Sequence, residues 1–227
     1  MGAANVRGPL VNRNQILLGI IVAALLALGA AAWYILGERP SDTLAATTPV
    51  TTADDRTLGD PKAPITAIEY AAPQCPFCAH FNAEGFPVLK AKYIDTGKVF
   101  YIFRMFPIGE ADVPAESLAR CLPANQYFAF LDLLYRSQAR WDPENGVADT
   151  TGALVAMAKI AGMDRDKALA CMADTNQQKR IMAVAQDAAS RYGISGTPTF
   201  VINGEVETAG AEWSEIQAKL DSLLAKK

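Results

Sequence analysis

Clusters of lysine and arginine are missing from this sequence, whose 21 basic and 24 acidic residues leave a formal charge of -3. Nucleic-acid binding needs a concentrated basic surface to meet the phosphates, so that class of partner is set aside. Histidine occurs once, as His80, and cysteine only four times, with a single C-x-x-C pair at Cys75 and Cys78. A structural zinc site would need two further ligands at suitable spacing, and no second pair supplies them. Haem attachment needs histidine directly after the second cysteine, where Ala79 stands. No internal repeat is present.

Charge is absent from Ile16 to Leu36. At 1.5 Å per residue that run is about long enough to cross a hydrocarbon core of roughly 30 Å. It predicts a transmembrane signal anchor over 15–37 behind a cytoplasmic N-terminus of 1–14. Arg7, Arg13 and the terminal amine precede the run and Arg39 follows it, which directs the rest of the chain outside the cytoplasm. Trp33 and Tyr34 suit the headgroup level at its outer end. A cleaved signal peptide is the competing reading, because Gly29, Ala30, Ala31 and Ala32 offer small residues to a peptidase. Outside the cytoplasm, four cysteines can persist as two disulfides.

Residues 38–56 are rich in Thr, Ala, Pro and Asp without an apolar period, which reads as a solvated, flexible linker. Ile65 to Ala71 then forms a short apolar strand behind Gly59, Asp60, Pro61 and Pro64. After the cysteine pair, Phe81, Phe86, Leu89 and Tyr93 recur at roughly helical intervals, with a kink expected at Gly85 and Pro87. Val99 to Phe103 has the pattern of a strand covered on both faces, and strand, helix, strand at this spacing implies parallel pairing. From Ala111 to Tyr192 the period is helical, as at Leu154, Met157, Ala158 and Ala161, with Gly162 and Gly193 at helix ends. Thr199 to Ile202 returns to strand, Asn203-Gly204 makes a tight hairpin, and Ser214 with Gln217 suggests a capping box before a final helix. The fold class is therefore α/β, with an all-helical insert over 108–191 dividing a sheet domain into 57–107 and 192–227.

Cys75 lies between a strand and a helix, at a helix N-terminus where free amides favour a thiolate. Such positions lower a cysteine pKa to roughly 3.5–7.5, and Pro76 suits the first turn because its missing N–H costs nothing there. The pattern predicts Cys75 as the exposed reactive sulfur and Cys78, one turn inward, as its resolving partner. A structural disulfide and a thiol module that sequesters a soft ion such as Cu(I) are the alternatives. His80 points away from Cys78 on a helix and reads as a surface or packing residue.

Cys75-Pro76-Phe77-Cys78, the run Tyr93-Ile94-Asp95-Thr96-Gly97-Lys98-Val99 leading to Phe103-Arg104, and Gly196-Thr197-Pro198-Thr199-Phe200 with Asn203-Gly204 together carry a resemblance. From about Leu58 to Leu224 the chain resembles the DsbA-like branch of the thioredoxin superfamily, especially its membrane-anchored members with a helical insert. The resemblance implies a thioredoxin fold and a protein thiol-disulfide oxidoreductase without a cofactor or metal. It places the catalytic domain on the outer, periplasmic side of a bacterial cytoplasmic membrane. It also implies a cis Thr197-Pro198 bond beside the cysteines, with Thr197, Pro198, Pro76 and Phe77 facing an extended substrate strand. Glu69 matches a buried acid that assists proton transfer at the inner cysteine, and a carboxyl in an apolar strand should titrate high, although a solvent-facing strand position is the alternative. Cys121 and Cys171 match a second, structural pair in some relatives, with unpaired buried thiols as the alternative. The expected partners are exported proteins with cysteine thiols, a DsbB-like membrane reoxidant and the lipid bilayer. A dithiol oxidase is the working reading. Phe77, which brings no charge between the cysteines, and Thr197 keep an isomerase or reductase open.

Overall fold

The structure is a computed structural model that describes residues 51–226 apart from 53 and 208–211. The predicted anchor, the N-terminus before it and most of the 38–56 linker lie outside those residues. Among the described residues no helix is long and apolar enough to cross a membrane.

β2 (Ile65–Ala71) and β3 (Val99–Met105) run parallel, with Ile65 opposite Val99 and Ala71 opposite Met105. β4 (Thr199–Ile202) pairs antiparallel with β2 and turns through Asn203 and Gly204 into β5 (Glu205–Val206). Both turn residues have positive φ, 51° and 88°, the backbone that an Asn-Gly hairpin requires. β1 (Arg56–Leu58), which the sequence pattern does not announce, pairs antiparallel with β3 and gives the order β1-β3-β2-β4-β5.

Successive side chains of a strand point to opposite faces. Ile65, Ala67, Tyr101, Phe103, Phe200 and Ile202 therefore pack on one side, against α1 (Pro76–Leu89) and the helical segment. Ile68, Tyr70, Phe100, Ile102 and Val201 pack on the other, against Ala188 and Ile194. The helical segment comprises α2 (Asp112–Cys121), α3 (Tyr127–Arg136), α4 (Gln138–Trp141), α5 (Thr150–Ile160), α6 (Arg165–Ala173) and α7 (Thr175–Tyr192). Its Leu118, Tyr127, Phe130, Leu134 and Trp141 join the same apolar cluster as Cys75, Cys78 and the sheet, so the insert shares its core with the sheet. Asp149, Asp164 and Asp174 cap α5, α6 and α7 by accepting backbone N–H groups, and Gly193 closes α7 with φ 66°. Cys121 and Cys171 are joined in a disulfide that ties α2 to α6, with Cα atoms 6.2 Å apart.

Three local expectations are corrected. The kink at Pro87 takes the form of a change in helix type, since α1 runs through Pro87 and widens into a π-helical turn over Lys90–Ile94. Pro87 has no N–H for its own turn, and beyond it the Lys90 N–H reaches the carbonyls of both Phe86 and Pro87. The last helix, α8 (Trp213–Ala225), starts one residue before Ser214, with Glu212 as N-cap, so the Ser214–Gln217 box does not form. The linker's described end is docked: Asp55 pairs with Arg104 at 2.8 and 2.9 Å and Arg120 donates to the Asp54 carbonyl at 2.8 Å. The Asp55 side chain is only 3% exposed. A segment that carries a carboxylate partner of a buried guanidinium is held against the fold, because separating the two charges would cost several kcal/mol.

Candidate active site

Cys75 is the N-cap of α1, with φ -71° and ψ 118°, and Pro76 follows at the start of the helix. The Cys78 N–H donates to Cys75 Sγ at 3.2 Å, and the Cys75 thiol donates to the Thr197 carbonyl at 3.4 Å. The Thr197-Pro198 bond is cis, so the two motifs that lie far apart in sequence meet at one sulfur. Both Cys75 and Cys78 are free thiols here.

The two sulfurs ionise in opposite directions. A hydrogen bond from the Cys78 thiol, outweighing burial, draws Cys75 down to about 6 from its ordinary 9. Thr197 and the Cys78 and Phe77 amides lower it further. The Thr197 hydroxyl is buried and has no hydrogen-bond partner among the described residues. Burial pushes Cys78 well above the ordinary thiol range, and its hydrogen bond and charge interaction with Cys75 and the Glu69 charge push the same way. The hydrogen bond between the two thiols and the deeper burial of Cys78 produce this division of labour, with the amides at the helix N-terminus adding to it.

Glu69 lies on β2, facing the α1 side of the sheet at 3% exposure, so the solvent-facing alternative does not apply. Its Oε2 accepts the Tyr101 hydroxyl at 2.6 Å. Burial raises its carboxyl to about 8, against the lowering effect of that hydrogen bond. Tyr101 was legible only in retrospect: parallel register sets Glu69 opposite Phe103, and a period of two puts Tyr101 on the same face.

One expectation needs revision. Cys75 is not openly exposed but 2% accessible, with Thr197 against its sulfur. The exposed part of the motif is Phe77, 67% accessible, with Pro76 beside it, while His80 is exposed and Pro198 buried. The Thr197 carbonyl accepts the Cys75 thiol in this dithiol state. Phe77, His80, Phe81, Glu84, Pro198 and Trp213 outline a narrow cleft next to the cysteines. Among the described residues no group of three His, Cys, Asp or Glu side chains is placed to hold a metal.

Sequence reasoning also missed the insert's contributions to the site. The Tyr135 hydroxyl of α3 is buried with no hydrogen-bond partner among the described residues, and burial, followed by the proximity of Cys78 and Glu69, pushes its pKa well above the ordinary range. Gln138 of α4 and Gln74 hold the turn that carries Cys75.

A thioredoxin family profile matches residues 51–222. The crystal structure of alpha-DsbA1 from Wolbachia pipientis superposes with a TM-score of 0.71 at 32% identity, covering 80% of this chain and 96% of that one. The chain belongs to the thioredoxin family, on its DsbA-like branch. A Rickettsia bellii protein assigned by name to the protein-disulfide oxidoreductases is 30% identical over 172 residues, 75% of this chain. The matched segment spans 65% of that protein's length, and 60% of a Rickettsia felis counterpart. BdbD of Bacillus subtilis shares the fold, with a TM-score of 0.66 at 23% identity over 75% of this chain and 93% of its own. These DsbA-like neighbours match across the helical segment as well as the sheet, so the helical insertion is part of the shared fold.

Proposed function

We propose that this protein is an extracytoplasmic protein-disulfide oxidoreductase that introduces disulfides into exported proteins through Cys75 and Cys78. The reading is carried by one observation. An acidified sulfur at the tip of α1 sits against a cis-prolyl turn, with a buried, high-pKa sulfur as its partner. In the oxidised enzyme a substrate thiolate attacks Cys75 Sγ and the Cys75–Cys78 bond breaks. Cys78 leaves with the electron pair and takes up a proton, for which Glu69, buried and with its carboxyl raised to about 8, is the donor; the carboxylate left behind interacts electrostatically with Cys78 and holds its thiol protonated. A second substrate thiol, once deprotonated, attacks the substrate sulfur of the mixed disulfide. Cys75 then departs as a thiolate that is stable near neutral pH. The substrate loses two electrons, the cysteine pair gains them, and a DsbB-like membrane oxidant removes them again.

Phe77, Pro76, Thr197 and Pro198 form the surface that an extended substrate meets. Cys121–Cys171 is read as structural, 15–37 as the membrane anchor, and the sheet residues 57–107 and 192–227 as the catalytic domain around the 108–191 insert. Isomerase or reductase activity is the second reading, favoured by the Thr197 hydroxyl beside Cys75 and by the uncharged Phe77. Equilibration with glutathione decides between them. An oxidase is expected above roughly -180 mV, whereas a potential near thioredoxin's, about -270 mV, would reassign the protein to reduction.

A further inference from the structure

The turn ahead of Cys75 is held by the insert on both sides. Gln74 is bonded into it through both backbone and side chain: its backbone N–H donates to Asp112 Oδ1 at 2.8 Å and its Nε2 to Asp142 Oδ1 at 2.7 Å. Its Oε1 accepts the Ala111 N–H at 2.7 Å. Gln74, Asp112 and Asp142 are 3%, 0% and 2% exposed. Asp112 is itself fixed, since its Oδ2 accepts the Ile108 and Gly109 N–H groups at 2.8 Å each. Asp142 accepts the Glu144 N–H at 2.9 Å. A Cβ on Gly109 would stand 2.4 Å from Gln74 Oε1, so the loop closes on Gln74 only because glycine is there. On the far side, Gln138 Nε2 donates to the carbonyls of Pro73 at 2.7 Å and of Cys75 itself at 3.1 Å.

Buried polar groups are costly unless satisfied, and a fully satisfied network holds one geometry. This one ends on the peptide units either side of the reactive sulfur. The donors that favour its thiolate, the Cys78 thiol and the Cys78 and Phe77 amides, are fixed to α1, so their effect depends on where the Cys75 backbone is held.

We propose that Gln74 and Gln138 are positioning residues through which the helical insert fixes Cys75 against the tip of α1, and so sets the reactivity of its sulfur. This rests on reading Cys75 as the nucleophile. The insert then acts as a clamp on the catalytic turn as well as a lid on the core.

The test measures alkylation rate against pH in the reduced protein, for Gln74→Met and Gln138→Met beside the unaltered sequence, with circular dichroism and Tm taken in parallel. The half-maximal pH should rise in both variants, and alkylation at about pH 5.5 should slow by about fourfold, the loss that accompanies a shift of ~0.7 pH unit from a midpoint of about 6. Loss of packing alone would lower Tm and leave the midpoint in place. Folded variants with an unmoved midpoint overturn the proposal, and if Gln74→Met does not fold, the half-buried Gln138 decides. An ordinary thiol midpoint in the unaltered protein would instead sink the nucleophile reading, so the two failures are distinguishable.

Discussion

Cys75 and Cys121 both stand at helix ends, and at opposite ones. Cys75 caps the N-terminus of α1, where amide N–H groups converge on its sulfur, and its partner is three residues away in the same helix. Cys121 is the last residue of α2, where carbonyl oxygens collect, and its partner Cys171 lies 50 residues further on, near the end of α6. The first setting rewards a thiolate and makes the sulfur a good attacking and leaving group. The second offers it nothing, and the bond there closes a long loop. Open exposure is not what acidifies a sulfur in this protein: Cys75 is nearly buried, and a hydrogen bond from the Cys78 thiol does most of the lowering, with the helix amides adding to it.

The comparison can be broken most decisively at Cys75. Cys75→Ala should reduce disulfide exchange with a reduced test protein to the uncatalysed background. Cys78→Ser should accumulate mixed disulfides with substrate, visible by non-reducing electrophoresis. Retained activity in Cys75→Ala would remove the distinction between the two pairs altogether. Next in size is the double change Cys121→Ala with Cys171→Ala. Opening a loop of 50 residues should cost about 4 kcal/mol in the chain-entropy account, on the order of 10 °C in Tm. The alkylation midpoint of Cys75 should stay where it is, near its value of about 6. A midpoint that moved would show that the second bond tunes the first.

The smallest expected effect sharpens the comparison by removing Glu69. Its carboxyl titrates at about 8 when folded and near 4.5 when unfolded, so the folded state holds the extra proton between those values. Stability from this group is present below pH 4.5 and is lost as pH rises through 8. Glu69→Gln should therefore flatten the fall in Tm across that window and be the more stable protein at pH 8. The measurement belongs on the Cys75–Cys78 disulfide form, where Cys75 no longer titrates. Asp112, raised by burial to about 6, slopes the same way but is common to both proteins. Oxidation of a test protein should slow severalfold in Glu69→Gln, through release of Cys78. An unchanged Tm profile would mean that the buried carboxyl does not hold the proton assigned to it.

What was readable in the sequence was local. The strand before Cys75, Pro76 at the helix start, the Asn203-Gly204 turn and the helical periods each report a few neighbouring residues, and each appears in the structure where its chemistry places it. The meeting of Pro198 with Cys75, 123 positions earlier in the chain, came from the resemblance, because no period encodes it. Unreadable features share one cause, that their partners are set by packing between distant elements. Asp55 looks like any linker carboxylate until Arg104 faces it. Gln74 looks like turn filler until Asp112 and Asp142 close around it. Ser214 resembles an N-cap by composition, yet the helix begins before it.

The sheet described above finishes in a three-residue strand, β1, and a two-residue strand, β5. Arg56 sits on the first border, and Glu205 on the second, tied down by Lys219 at 2.8 Å. An open sheet edge is a template on which loose strands of other chains can pair, and borders this short and this charged give them little to grow on. The sheet is thus guarded at both borders against growth by edge-to-edge pairing.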